Sequence, residues 1–379
     1  MHVCFVFHHH YPADFSTALL EYSRELAELG HEVTVIAGRE ETNTLKRETI
    51  DGVSVHRILT DLSTSVSIEP TLFGYKAMRK AEQIHSESPI DIFHLRSFPN
   101  LGLILDRFPW MDLPEATVSD VRGTAVSNSV FEWVSRIGIR IQDLFVDETL
   151  VIDKHVARRI FVDASSVTIL PLGVDFDKFV PGQNVELRKR WGLDDRCVVG
   201  YTGHLHPSRE LERFIRAFDQ ANEERPELAL AVVGGGEARP ALERHVADVG
   251  VEDDVVFTGS VPFEEMPSYL QAFDVGCAYI PDKPQYRNQP PLKTVEYLAA
   301  TLPVLATDTP GNRRFATTEN SLLVSDRIPE YRDGLLRLSN DETLRRTLSK
   351  RARESVSDFN YATITENKLL QAYQNIVSN

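Results

Sequence analysis

The sequence predicts an α/β protein built from two doubly wound, Rossmann-like domains, each with a parallel sheet. The length of 379 residues suits two domains better than a single core. Strand and helix patterns alternate from the first residue, and the alternation starts again near residues 165–175. An apolar fraction of 42% is that of a globular chain, and no apolar run is long enough to cross a membrane.

The first half opens with a strand–helix–strand pattern. "HVCFVF" is an apolar run of strand length, and the segment after it has helical spacing of its apolar residues, namely Leu19, Tyr22, Leu26 and Leu29. Gly30 follows where a helix C-cap is expected, and "HEVTVIA" is the next strand. Short links between these elements predict a parallel pair. Further predicted elements are the strands "VSVHRIL", "IDIFHL", "EATVSDVRG" and "ETLVIDK" and the helix "YKAMRKAEQIHSE".

The second half repeats the alternation. After the strand and loop "SVTILPLGVDFDKF", the helix "ELERFIRAFDQANEE" carries an apolar face of Leu211, Phe214, Ile215 and Phe218. Strands are predicted at "CVVGYTGHL", "LALAVVGGG", "VVFTGSV", "DVGCAYIP" and "PVLATD", with helices between them and a helical tail from about Asp341. In such domains ligands bind beyond the carboxyl ends of the strands.

Charge and cysteine content narrow the function classes. A net charge of −15 argues against a nucleic-acid binder that neutralises phosphates. Of 41 basic residues 31 are Arg, which fits either a salt-loving organism or an ordinary acidic protein from a GC-rich genome. The three cysteines lie in strand-like runs without CxxC spacing, which is typical of core packing in a reducing compartment. The start of the chain lacks the pattern of a signal peptide, so a cytoplasmic location is expected.

Two glycine-containing turns follow strands of the second half. In "YTGHLHPSRELERF" a glycine is followed by His204, His206 and Arg209, and a helix opens at about Glu210. Such a turn lets an anion approach the backbone, although a plain turn with solvated basic side chains fits as well. In "VVGGGEARPAL" the glycines run together before Glu237, which supports a dinucleotide fingerprint poorly.

Two polar motifs follow strands of the first half. "FHHHYPADF" has three adjacent histidines, whose side chains point in different directions on an extended chain, so no metal site is predicted there. A substrate-facing loop is the favoured interpretation. In "SDVRG", Asp120 and Arg122 share one side of an extended chain, which fits either a mutual ion pair or the polar wall of a substrate cleft.

The stretch "NQPPLKTVEYLAATLPVLATD" starts a helix on two prolines. The rings of Pro290 and Pro291 fix the backbone angle φ near the value that suits a helix start. They also remove two amide donors that a bound anion would use. Lys293 and Glu296 lie three residues apart and share a helix face. On propensity alone, a surface ion pair is the favoured interpretation.

Seven segments in order resemble the retaining family 4 glycosyltransferases of the GT-B fold. These are "GHEVTVIA", "DIFHL", "ILPLGVDFDKF", "GYTGHLHPSRELERFI", "LAVVGGGEARPALE", "VVFTGSVPFEEMPSYLQAFDVGCAYI" and "PPLKTVEYLAATLPVLATDTPG". The resemblance covers nearly the whole chain and is strongest from about Val167 to Val324. It implies two Rossmann-like domains with a cleft between them. Residues 1–168, with a helix of about 358–379 packing back on them, would bind the acceptor, and residues 169–357 the donor.

The resemblance implies a nucleotide-diphosphate sugar donor, UDP- or GDP-linked, and roles for the helix at Pro291. Glu296 matches the second glutamate of the family's E-x7-E motif and would hold the ribose. Asn288 stands where the first glutamate would be, so the contact to the donor sugar is altered. Pro291, Lys293, Glu296 and Tyr297 fit the P-x-K-x-x-E-Y variant of the family, and Lys293 would contact phosphate or sugar.

Further roles follow for the strand-end loops. Arg209 matches the family's diphosphate-binding lysine, and Gly203 matches the glycine beneath the phosphate. His204 replaces an arginine, so its phosphate contact is expected to depend on pH. Residues 14–17, Asp14 to Thr17, stand in place of the family's Gly-Gly loop. The remaining predicted nucleotide contacts are Gly235, Gly236, Glu237, Val261 and Leu292.

The predicted catalytic residues are Glu296, Arg209, Lys293, Asn288 and Asp120. The resemblance implies attack from the face that the donor diphosphate leaves, with the departing phosphate taking the proton and no cofactor or metal required. We expect a glycan or lipid-linked acceptor, because "SVFEWVSRIGIRIQDLF" is amphipathic and could touch the inner face of the plasma membrane, although a core helix fits equally. A nucleotide-sugar epimerase and a non-catalytic nucleotide-sugar-binding subunit are the alternatives.

Overall fold

The computed structural model describes residues 1–12, 18–40, 44–60, 69–96, 116–122, 129–163 and 165–378. Backbone contacts divide the chain into two compact units. The N-terminal unit comprises Met1–Leu172 and Tyr361–Asn379, and the C-terminal unit comprises Gly173–Asn360. These boundaries lie a few residues from those that the sequence predicted. Both units are α/β, as predicted.

The N-terminal unit contains an eight-stranded sheet of order β3-β4-β2-β1-β5-β6-β7-β8. Its strands are β1 (His2–Phe7), β2 (Glu32–Arg39), β3 (Arg47–Ile50), β4 (Val53–Leu59), β5 (Ile92–Arg96), β6 (Ala116–Val121), β7 (Glu148–Val151) and β8 (Thr168–Ile169). All pairs are parallel except β3 with β4, an antiparallel edge hairpin that the sequence analysis missed. The last strand, β8, was predicted to open the second domain, but it pairs with β7 in the first sheet.

The helices of the N-terminal unit come from both ends of the chain. They are α1 (Ala18–Glu28), α2 (Glu69–Glu87), α3 (Ser129–Asp143), α4 (Lys154–Arg159), α12 (Tyr361–Ile364) and, after a π-helical turn over Thr365–Leu369, α13 (Leu370–Val377). Tyr361, Ile364 and Tyr373 of the C-terminal helices are buried in one core with Phe5 and Leu19. The last helices therefore complete the N-terminal core.

The C-terminal unit contains a six-stranded parallel sheet of order β11-β10-β9-β12-β13-β14. Its strands are β9 (Cys197–Thr202), β10 (Leu228–Val233), β11 (Val255–Gly259), β12 (Val275–Ala278), β13 (Val304–Thr307) and β14 (Ser321–Val324). Its helices are α5 (Val185–Trp191), α6 (Leu211–Glu224), α7 (Arg239–Val249), α8 (Met266–Leu270), α9 (Leu292–Ala299), α10 (Ile328–Asn340) and α11 (Glu342–Ala352). The helix predicted from about Asp341 is confirmed, because Asp341 caps α11, whereas α10 and the short helix α5 were not predicted.

Both sheets reverse their strand order at one place. In the N-terminal unit, β1 lies between β2 and β5, and in the C-terminal unit β9 lies between β10 and β12. Successive strands are added on opposite sides of β1 and of β9, so each position is a topological switch point. The residues after these strands are therefore the first to consider as ligand contacts.

Two glycines allow close packing beneath the C-terminal switch point. A Cβ on Gly276 would lie 2.5 Å from the Tyr297 ring, and one on Gly200 would lie 2.0 Å from the Phe273 ring. The buried Tyr297 of α9 can therefore rest on β12, and the Thr202 amide donates a 2.8 Å hydrogen bond to its hydroxyl. This contact joins the later part of α9 to the end of β9.

Within the ranges given above, no helix combines the length and the apolarity needed to cross a bilayer. Cys4, Cys197 and Cys277 are unpaired, and Cys4 and Cys277 are fully buried. Burial raises the pKa of the Cys197 thiol to about 11 and that of Cys277 to about 12, so both thiols are protonated at neutral pH.

Candidate functional site

Gly203 ends the first strand of the C-terminal unit beside a lysine. Its φ of +141° is rarely adopted by residues with a side chain. A Cβ at this position would lie 3.2 Å from Nζ of Lys293. Glycine therefore leaves the backbone open next to this ammonium group.

Lys293 is a cation without a carboxylate partner. Its Nζ lies 3.6 Å from the centroid of the Tyr201 ring, which is close enough for a cation–π interaction. Within the part of the chain that the structure describes, no carboxylate lies within 4.0 Å of this ammonium. Burial, together with the positive charge of Arg209, lowers the pKa of Lys293 to about 7. An added anion would favour the charged form.

Glu296 lies one turn further along α9 and is 8% exposed. Burial raises the pKa of its carboxyl group to about 7, with the ammonium of Lys293 acting in the opposite direction. Neither an ion pair nor a hydrogen bond joins Glu296 to Lys293 among the described residues. The surface ion pair favoured on propensity is therefore wrong, because this face of α9 turns toward the core.

The start of α9 offers few amides, as the double proline predicts. Pro291 is the N-cap residue, and the Thr294 amide donates to the Pro291 carbonyl at 3.1 Å. Leu292, the first helical residue, packs partly against the core. Asn288 lies half-buried in the turn before the helix, where it makes no hydrogen bond to any described residue.

Arg209 ends a short 3₁₀ turn, Pro207–Arg209, that precedes α6. Its guanidinium lies 4.2 Å from the centroid of the Tyr286 ring, and the Tyr286 hydroxyl hydrogen-bonds Oγ of Ser208 in the same turn. Glu210 then adopts a φ of +48°, and its carboxylate pairs with Lys283. Sequence reasoning missed Tyr286 and Lys283, because no spacing rule links a strand-end loop to residues more than 70 positions away.

His204 and His206 share the carboxylate of Glu237. Their Nε2 atoms lie 3.3 and 3.2 Å from its two oxygens, and all three side chains are exposed. The backbone amide of Glu237 and then the two histidines lower the pKa of its carboxyl group. Protonation of the histidines would therefore strengthen the contact.

The glycine run after β10 packs against the loop after β9. A Cβ on Gly234 would lie 2.0 Å from the carbonyl oxygen of Gly203, and one on Gly236 would lie 2.4 Å from that of Leu205. The Leu205 amide donates to the Gly235 carbonyl at 2.8 Å. These glycines are needed for backbone-to-backbone packing, which explains why they do not follow a dinucleotide fingerprint. Val261, after β11, packs partly against the core.

Asp120 belongs to the N-terminal unit, apart from the other predicted catalytic residues. Its carboxylate accepts a 2.7 Å charged hydrogen bond from Nε of Arg122 and lies 3.6 Å from Nε2 of His94. His94 is in turn bonded to the Tyr373 hydroxyl at 2.6 Å. Burial would raise the pKa of Asp120, but Arg122 and His94 outweigh it and hold the value at about 2. The mutual ion pair was one of the two interpretations left open.

Two features that the sequence predicted for the N-terminal unit, the loop at residues 14–17 and the three histidines after β1, are not among the site contacts described above. Residues 14–17, predicted to replace the family's Gly-Gly loop, lie outside the described residues. Of the three histidines, His8 packs edge-on against Phe73 and His10 lies 3.7 Å from Glu40. No group of three or more His, Cys, Asp or Glu side chains suited to a metal occurs in the described ranges.

Part of the sequence matches a known protein family. Residues 196–341 match the family described as Glycosyl transferases group 1. The match lies within the C-terminal unit. The matched segment contains Gly203, Arg209, Lys293 and Glu296.

The chain is also similar to named glycosyltransferases. The chain is 38% identical over 117 residues to a GDP-mannose-dependent alpha-(1-6)-phosphatidylinositol monomannoside mannosyltransferase of Mycolicibacterium smegmatis, covering 30% of this chain and 31% of that protein. It therefore spans about a third of that relative's length. It is 25% identical over 385 residues to the D-inositol 3-phosphate glycosyltransferase of Kribbella flavida, covering 94% and 89% of the two chains.

Solved structures share the fold at low identity. The sucrose-phosphate synthase of Thermosynechococcus elongatus superimposes with a TM-score of 0.82 at 18% identity, covering 100% of this chain and 99% of that one. Anabaena HepE in complex with UDP superimposes with a TM-score of 0.75 at 16% identity, covering 100% of both chains. The predicted GT-B fold class is therefore confirmed.

Proposed function

We propose that the chain is a retaining glycosyltransferase that moves a sugar from a nucleoside-diphosphate sugar to a hydroxyl acceptor. The observation that carries the proposal is the inward face of α9, where Nζ of the half-buried Lys293 lies beside the open backbone of Gly203 and Glu296 is buried. Among the described residues, neither side chain has a hydrogen bond or an ion pair. Buried polar groups of this kind are normally paired, which supports a bound polar ligand. The family match covers the same residues.

The proposed roles follow from the charge of each group. Lys293 and Arg209 hold the diphosphate, because both are cations next to the C-terminal switch point and Arg209 can offer two N–H donors. The Gly203 backbone allows the phosphate to approach closely. Glu296 accepts hydrogen bonds from the ribose hydroxyls, for which its carboxylate is well suited.

The proposed reaction breaks the bond between the anomeric carbon and the phosphate oxygen of the donor. The bonding electron pair leaves with the nucleoside diphosphate, whose developing charge Lys293 and Arg209 stabilise. The acceptor oxygen bonds to the anomeric carbon from the same face, and its proton passes to an oxygen of the departing phosphate. The products are the glycoside with retained configuration and the free nucleoside diphosphate. The scheme uses no metal.

Turnover of defined donors tests the proposal. UDP-glucose, UDP-N-acetylglucosamine and GDP-mannose are incubated with the purified full chain and a panel of hydroxyl acceptors, and both nucleoside diphosphate and glycoside are measured. We expect one donor to give both products, with kcat/KM reduced about 100-fold or more in Arg209→Ala. The exposed Arg346→Ala, on α11, is the matched control.

Other outcomes would replace the proposal. An epimeric nucleotide sugar without release of nucleoside diphosphate would identify an epimerase. A donor that binds without turnover, with Arg209→Ala and Glu296→Ala both leaving the pathway intact in cells, would identify a binding subunit.

We also propose that the N-terminal unit contacts an anionic membrane and that the acceptor is lipid-linked. Large apolar side chains are exposed at and beyond α3, with Trp133 at 56%, Leu144 at 65% and Phe161 at 52%. The guanidinium of Arg136 lies 4.5 Å from the centroid of the Phe161 ring, so basic and aromatic groups are mixed at this surface, as at membrane interfaces.

Vesicle flotation tests the membrane contact. The chain should float with vesicles that contain anionic lipid, and the double variant Trp133→Ser/Leu144→Ser should float less. The matched control Leu29→Ser/Leu45→Ser changes two exposed leucines, 41% and 61% exposed, on other elements. Equal flotation of both double variants would contradict the proposed contact surface.

A further inference from the structure

The N-terminal switch point carries an arginine that the proposed reaction does not use. Arg96 is the last residue of β5, and β5 pairs with β1, which ends at Phe7 and is followed by His8 and His9. Its guanidinium lies 5.5 Å from the centroid of the Phe7 ring. In open parallel sheets this is the place where ligands bind.

Arg96 differs from the other inward-facing arginines of this unit. Arg57 donates to the Tyr11 carbonyl at 2.7 Å and pairs with Glu48, and Arg122 pairs with Asp120. Among the described residues, Arg96 has neither a hydrogen bond nor an ion pair, although its side chain is mostly buried. Burial lowers the pKa of its guanidinium from the usual value, because part of the side chain is shielded from water.

The carboxylate that acts on Arg96 electrostatically is already engaged. Asp120 lies directly opposite Arg96 in the pairing of β5 with β6, but its carboxylate is hydrogen-bonded to Arg122. Burial and the positive charge of Arg96 lower the pKa of His9 to about 4, so His9 is neutral at physiological pH. Among the described residues, one carboxylate therefore acts on two guanidinium groups, and the charge of Arg96 is not balanced by a carboxylate of its own.

We infer that this edge binds a phosphate ester group carried by the acceptor, with Arg96 as the binding residue. A partly buried guanidinium without an anion is costly, and a phosphate would supply the missing charge. The guanidinium offers paired N–H donors that match two oxygens of a phosphate. The inference rests on the proposed function only in taking the ligand to be the acceptor.

The test compares two small molecules that differ by the phosphate group. Glycerol 1-phosphate and glycerol are titrated by calorimetry into the full chain saturated with its nucleoside diphosphate, so that the C-terminal cations are occupied. We expect glycerol 1-phosphate to bind and glycerol not to bind. Arg96→Gln should weaken the binding at least 10-fold, and Arg96→Lys should weaken it less because it keeps the charge.

Two controls show whether the loss of binding is specific to Arg96. Arg79→Gln removes the same charge from an exposed site on α2, where Arg79 pairs with Glu82, and should bind glycerol 1-phosphate like the wild type. Arg96→Gln should keep the affinity for nucleoside diphosphate, which shows that it folds. If Arg96→Gln does not fold, the comparison rests on Arg96→Lys. Equal affinity of wild type and Arg96 variant, or no binding by the wild type of either this ester or the vesicles below, would overturn the inference.

Vesicles distinguish a lipid headgroup from a soluble ester. Phosphatidylcholine vesicles with and without phosphatidylglycerol are floated with wild type and Arg96→Gln. Loss of flotation in the variant assigns the phosphate to a headgroup, and unchanged flotation with Arg96-dependent glycerol 1-phosphate binding assigns it to a soluble acceptor. If the ester binds with no nucleoside diphosphate present and no donor turns over, the proposed function fails while the phosphate site stands.

Discussion

Both units have a switch point within their sheet, but the pair Lys293 and Glu296 of one unit and the pair Asp120 and Arg122 of the other differ in how far their charges are paired. In the C-terminal unit, the half-buried Lys293 and the buried Glu296 have no hydrogen bond or ion pair among the described residues, and Gly203 leaves the backbone open beside Lys293. In the N-terminal unit, Asp120, Arg122 and His94 pair with one another, and Tyr373 joins them to the last helix.

The difference shows how one fold serves binding and stability. Unpaired buried charges reduce the stability of the unliganded protein, but they are ready for a ligand. Paired buried charges neutralise one another, and here the network also holds a distant part of the chain in place through Tyr373. We therefore expect substitution of the paired Asp120 and substitution of the unpaired Lys293 to change stability in opposite directions.

The largest effect is expected for Asp120→Asn. The substitution leaves Arg122 buried without its counter-charge, which should lower the free energy of unfolding by about 3–5 kcal/mol. Denaturant unfolding measures the loss. Asp51→Asn is the matched control, since Asp51 forms an exposed ion pair with Arg24 at 2.8 Å and should cost about 1 kcal/mol or less. Equal costs for the two variants would mean that the buried network does not stabilise the N-terminal unit.

Lys293→Met is expected to raise the free energy of unfolding, whereas Asp120→Asn lowers it. The folded-state pKa of Lys293 is lowered to about 7 from 10.5, so between these values the unfolded chain binds the extra proton. The lysine therefore reduces stability at pH 8, and this penalty disappears as the pH rises above 10.5. Replacing it should raise the free energy of unfolding at pH 8 by roughly 1–3 kcal/mol.

Two measurements complete the Lys293→Met experiment. Unfolding of the wild type should become less favourable as the pH rises from 7 to 10, and the variant should lack this part of the slope. The variant should also bind nucleoside diphosphate more weakly. Lys189→Met, at a 56% exposed side chain on α5, should match the wild type. A destabilised Lys293→Met protein at pH 8 would show that the ammonium is paired in solution.

The smallest effect is expected for Tyr373→Phe. The variant loses the 2.6 Å hydrogen bond to His94 but keeps the ring in the core, which should cost about 1 kcal/mol. Tyr75→Phe, at a 52% exposed tyrosine, should cost nearly nothing. If Tyr373→Phe unfolds like the wild type, the hydrogen bond between Tyr373 and His94 does not stabilise the protein, and the last helix is not held by this network.

The sequence predicted the sheets well because buried parallel strands are short apolar runs that recur with helices between them. It failed at the antiparallel edge strand β3, whose polar residues Arg47–Ile50 lack that pattern. It also failed at α10, whose Ile328–Asn340 segment gave no clear helix start.

The environment of the candidate site residues could not be predicted from the sequence. Spacing placed Lys293 and Glu296 on one face of a helix, but not which face turns toward the core. Tyr286 beneath Arg209 and Tyr297 against Thr202 join segments far apart in sequence, and only the folded chain brings them together. Arg96 was missed because a strand-end arginine has no spacing pattern of its own.

Amide hydrogen exchange with and without nucleoside diphosphate tests the central claim most directly. The claim is that the C-terminal switch point binds the donor diphosphate and ribose. We expect UDP or GDP at saturation to slow exchange in residues 203–209 and at the start of α9, Leu292–Glu296, and Arg209→Ala to require more ligand for the same protection. Unchanged exchange in both segments, with nucleotide bound elsewhere in the chain, would contradict the claim.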